Sequence, residues 1–115
     1  MTDAHLKVIV TPNKEANARR VVARLNEIVK LQNVEFSTYH KGGFEMNASI
    51  EIGVEKWSDN VVALLEIAQK FGRSWMLCGH IKEEINLTCT DFSISGLEFA
   101  TLTLDVSEWH KADIE

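Results

Sequence analysis

Between Phe44 and Val54 every even position is apolar (Phe44, Met46, Ala48, Ile50, Ile52, Val54), while Glu45, Asn47, Ser49, Glu51 and Glu55 take odd positions with Gly53 among them. A period of two predicts a β-strand with one packed and one wet face. Lys41-Gly42-Gly43 comes just before it. Those glycines tolerate the positive φ of a tight hairpin, so Val34 to His40 reads as the strand paired with it.

The pattern changes elsewhere to a period near 3.6. Ala18, Val21, Val22, Leu25, Ile28 and Val29 form one apolar stripe, predicting a helix that runs to about Leu31. Thr11 is placed to cap it, with Pro12 at the first helical position, where a missing N–H is no loss. Leu6 to Thr11 is a short β-branched run and predicts a first strand. Val61, Val62, Leu64, Leu65, Ala68 and Phe71 give a second core stripe. Ser58 is its expected N-cap, with Asp59 favourably set against the helix dipole, Trp57 stapling onto Val62, and Gly72 closing the helix.

From Ser74 onward the pattern is extended. Trp75 to Ile81, Ile85 to Thr90 and Leu97 to Val106 are strand candidates, with a break near Lys82-Glu83-Glu84 and a turn at Ser95-Gly96. The order β-α-β, β-α-β followed by further strands predicts an α+β protein. Its arrangement is the ferredoxin-like split βαβ, with two helices on one face of an antiparallel sheet and extra C-terminal strands.

The chain is 115 residues long and 45% hydrophobic, the size and composition of a single domain over residues 1–115. No apolar run approaches the roughly 20 residues that span a bilayer. No signal-peptide pattern precedes Leu6 either, so a cytoplasmic protein without membrane partners is expected. Cys78 and Cys89 are too few for a disulfide framework and read as small buried thiols.

Charge divides the chain more sharply. Residues 1–57 hold eight Lys+Arg against seven Asp+Glu, a balance of +1, whereas residues 58–115 hold four against ten, a balance of −6. Nucleic-acid affinity rests on basic side chains that release counterions, so a nucleic-acid partner is not expected. A basic protein is.

Candidate chemistry is sparse. His5, His40, His80 and His110 show no metal-ligand spacing, and no metal or cofactor is expected. Glu83 and Glu84, as neighbours on an extended chain, point to opposite faces and suit a turn or an interface better than an acid–base pair. Gly42-Gly43 lacks the helix and lysine of a phosphate-binding loop. Arg19, Arg20 and Arg24 fall on the solvated face of the first helix with Glu27. Trp57 and Trp75 read as packing residues. Trp109 lies beyond the last strand among Glu108, His110 and Lys111, where an aromatic suits a partner contact.

Thr11-Pro12-Asn13 resembles the strand-to-helix entry of the sugar phosphotransferase carrier protein. That family needs a phosphorylated histidine in the first helical turn, where Lys14, Glu15 and Ala16 stand here, so no such activity is implied. In size, acidity, tryptophan content and lack of catalytic motifs the whole chain resembles bacterial immunity proteins, including those of contact-dependent growth inhibition systems. The resemblance implies a non-enzymatic inhibitor of a cognate basic toxin such as a nuclease, with carboxylates that mimic its phosphate substrate. The residues placed at that interface are Glu83, Glu84, Asp91 and Glu98, with Trp109 as an anchor. A different reading is a small enzyme or ligand-sensing domain with a pocket near Tyr39, His40 and His80.

Overall fold

A computed structural model describes residues 3–39, 41–52, 57–78 and 84–105. The elements run β1 (Asp3–Val10), α1 (Glu15–Ile28), β2 (Gln32–Thr38), β3 (Phe44–Glu51), α2 (Trp57–Phe71), β4 (Gly72–Cys78), β5 (Glu84–Phe92) and β6 (Leu97–Asp105). All six strands join one antiparallel sheet in the order β2-β3-β1-β6-β5-β4. The expected α+β, ferredoxin-like arrangement is present. The strand beside β1 that completes such a core is β6, the last of the described strands, while β5 and β4 build the sheet outward from it.

Parity decides which face is covered. Leu6, Val8 and Val10 of β1, Met46 and Ala48 of β3, and Ala100, Leu102 and Leu104 of β6 are buried, in one cluster with Ala18, Val21 and Leu25 of α1 and Leu64, Ala68 and Phe71 of α2. Both helices therefore cover a single face, α1 against β3 and α2 against β4 and β6. The alternation along β3 is as expected: Phe44, Met46, Ala48 and Ile50 are buried, and the residues between them are not.

Helix boundaries differ from those expected. α1 starts at Glu15, with Lys14 as an N-cap that makes no side-chain cap bond. Thr11 and Asn13 serve the loops instead: the Thr11 amide donates to the Gly96 carbonyl at 2.9 Å, and Asn13 Oδ1 accepts from the Gly43 amide at 3.1 Å. At the other end Asn26 Oδ1 accepts from the Leu31 amide at 2.9 Å and the helix stops at Ile28. Gly72 does not cap α2 but opens β4, so helix passes into strand without a loop.

The core stripes are also narrower than the periodicity suggests. Val62 is 53% exposed, Leu65 38% and Ile28 38%. An apolar stripe states which residues could pack but not on which flank a neighbour is missing. Cys89 is a free buried thiol whose Sγ–H donates to the Asp91 carbonyl at 3.1 Å.

Candidate functional site

The sheet face opposite the helices is polar. His5 Nε2 donates to Asn47 Oδ1 at 3.0 Å, Asn47 Nδ2 donates to Glu45 Oε2 at 2.8 Å, and Lys7 Nζ lies 3.5 Å from Glu45 Oε1. The network links β1 to β3 because these residues are cross-strand neighbours, Lys7 directly opposite Asn47 and His5 opposite Ser49. Thr103 Oγ1 donates to Asn86 Oδ1 at 2.7 Å on the adjoining pair β6 and β5. Side chains that satisfy each other in this way hold a wet face in order.

At one end of the sheet the register collects acidic residues. Asp3 is opposite Glu51 on β1 and β3, and Glu84 is opposite Asp105 on β5 and β6. β1 and β6 are themselves neighbours with His5 opposite Thr103, and continuing that register by two residues sets Asp3 against Asp105. Four acidic positions thus run in one row across four adjacent strands. The next row inward holds Ser49, His5, Thr103 and Asn86, with no lysine or arginine among them. Like-charged residues at directly opposed positions work against strand pairing.

The residues anticipated at an interface are divided by the fold. Glu84 opens β5 and Asp91 lies near its far end, seven residues on and so about 23 Å away. Asp91 is exposed and ion-paired with Arg73, Oδ1 to Nη1 at 3.2 Å. Glu98 is on β6 beside the β5–β6 turn, also exposed, and lines a groove of about 290 Å³ with Ile9, Tyr39, Lys41, Thr90 and Phe99. Asp91 and Glu98 therefore share one end of the sheet and Glu84 has the other. Glu83 and Trp109 lie outside the described residues, as do His40 and His80 of the alternative pocket, of which Tyr39 alone is described.

Sequence reasoning passed over Asp3, Glu51 and Asp105. The odd parity of Glu51 was visible, but the residues that join it in the row are far away in the chain. Arg19, by contrast, is accounted for locally: it pairs with Glu15 at 3.2 Å and its guanidinium sits 4.7 Å from the Phe36 ring centre, a cation–π contact over β2.

Among the described residues no group of His, Cys, Asp and Glu is arranged to hold a metal ion, and no helix is long and apolar enough to cross a membrane. No protein-family model, curated protein or solved structure matches this chain, so its functional reading rests on the placement of its own residues.

Proposed function

We propose that this chain is a protein-binding inhibitor, an immunity protein that neutralises a cognate basic toxin by laying an acidic surface over its active site. The observation that supports this reading is the row formed by Asp3, Glu51, Asp105 and Glu84. Acidic positions set side by side at a fixed strand spacing suit a cleft built to hold successive phosphates, as in a nuclease. Complementary charge of this kind speeds association and excludes wrong partners more than it adds raw affinity.

The test is co-expression with the product of the gene immediately upstream. That product should arrest growth alone, and this chain should restore it and bind the product directly. Glu51→Lys combined with Glu84→Lys should slow association most at low salt, where screening is weakest. Asp91→Lys combined with Glu98→Lys, at the other end of the sheet, should act less. A neighbour that is harmless alone, or that does not bind this chain, sinks the proposal.

A further inference from the structure

Four of the six large hydrophobic residues that stand exposed among the described residues belong to two adjoining elements: Val62 (53%) and Leu65 (38%) on α2, and Met76 (65%) and Leu77 (54%) on β4. β4 ends the strand order, and among the described residues no strand lies beyond it.

All four border the β4 edge but on two faces: Leu77, paired with Leu87, lies on the helix-covered face beside α2, whereas Met76, paired with Thr88, lies on the opposite face. α2 runs straight into β4, and the Trp75 indole N–H donates to the Ala68 carbonyl at 2.9 Å, which sets strand against helix. Two strand residues advance about 6.6 Å and one helical turn about 5.4 Å, so Leu77 is level with the turn of Leu64 and Leu65. Ile67 and Lys70 face α1, since both line a groove with Ile28. At about 100° per residue, Leu65 then falls on the opposite flank, the β4 side, with Val62 above it. Leu65 has only Val61, Val62, Ala68 and Gln69 three and four residues away, whereas Val62 has Asp59 and Glu66 at those spacings, so the uncharged part of the flank is centred on Leu65.

The two sheet edges differ. β2, at the other end, is irregular between Gln32 and Glu35, has Asn33 at φ 52 and carries a charge at Glu35. These are devices that keep edges from pairing. β4 has its irregularities at Gly72 to Trp75, and Trp75 to Cys78 is regular and uncharged.

We propose that the β4 edge is a self-association surface, on which a second copy of this chain pairs antiparallel and continues the sheet. Pairing about a two-fold axis at Met76 sets Met76 against its own counterpart and Leu77 against Trp75 of the second copy. It also brings the Leu65 flanks of the two α2 helices together. A lone extended peptide covers the strand but leaves that helical flank bare, whereas a second copy covers both layers. Charge agrees: two molecules of net charge −5 approach best where both are neutral. A flank about 23 Å long and two layers, about 20 Å, deep gives on the order of 500 Å² per copy, or about 1,000 Å² in total, the size of a weak, reversible interface. The dimer is accordingly of modest affinity. This surface is independent of the acidic row and of the inhibitor reading.

Sedimentation velocity on the full chain, from low micromolar to submillimolar concentration, should show a monomer–dimer equilibrium. Leu77→Lys should weaken it by about tenfold or more, and Val34→Lys on the β2 edge should leave it unchanged. Both sites are exposed, and circular dichroism of each variant checks folding. Amide exchange should slow at Trp75 to Cys78 as concentration rises. A strict monomer across the range overturns the proposal, as does a dimer that survives Leu77→Lys or protection of β4 that is independent of concentration.

Discussion

The indole N–H of Trp75 donates to the backbone carbonyl of Ala68 at 2.9 Å, and the Trp75 ring meets Phe71 edge-on with centroids 5.3 Å apart. Ala68 is among the last four residues of α2, whose carbonyls have no partner within the helix. A side chain from the following strand thus does the work of a helix cap. Trp75→Phe keeps an aromatic ring against Phe71 but removes the donor together with part of the packed indole. It should lower unfolding free energy by about 1–3 kcal/mol, the hydrogen bond and the lost packing together, measured by urea denaturation.

Gly72 is part of the same corner. A Cβ built on it runs into the Trp75 indole, so Gly72→Ala should destabilise the protein by roughly 1–3 kcal/mol through overpacking. In a Trp75→Leu background most of that penalty should vanish. A double-mutant cycle checks this, and an additive result would show that the indole is not the obstacle.

Gly42 and Gly43 separate two effects in one hairpin. Both have positive φ, 99° and 79°. A Cβ on Gly42 meets only Asn13 Oδ1 at 3.7 Å, whereas one on Gly43 overlaps the Val10 carbonyl oxygen. Gly42→Ala should therefore lose about 1 kcal/mol for conformation alone. Gly43→Ala should lose more than about 2 kcal/mol, because backbone has to move. Thermal melts of the two variants side by side decide the ranking.

Asp91 pairs with Arg73 where both side chains are more than half exposed. Such pairs add well under about 1 kcal/mol. Asp91→Asn should leave chemical denaturation midpoints nearly unchanged, so any effect of that variant on partner binding reports the interface and not the fold.

How much of this was legible in the sequence varies with the range of the interaction involved. The strand Phe44 to Glu51 could be read from its own residues, because alternation and burial are the same fact seen twice. Helix α1 could be read in its stripe but not in its start, since Thr11 and Asn13 bond to Gly96 and Gly43, partners that local rules do not contain. Val62 and Leu65 looked like core because apolar spacing cannot tell that α2 lies at the border of the sheet. Of the acidic row only Glu84 was singled out. Asp3, Glu51 and Asp105 become neighbours through strand register alone, and register between distant strands leaves no mark in a single sequence.

The position of β6 has a consequence for biosynthesis. Leu6, near the start of the chain, is paired with Leu102, and the buried row Ala100, Leu102 and Leu104 fills the middle of the sheet. While the chain emerges from the ribosome, β1 and its hairpin partners wait with one open edge, and β5 with another, for a strand synthesised after both. Loop closure on that scale is slow, and open edges recruit other chains. A nascent molecule stalled short of Leu97 thus holds two separate sets of strands, β2-β3-β1 and β5-β4, without the strand that joins them.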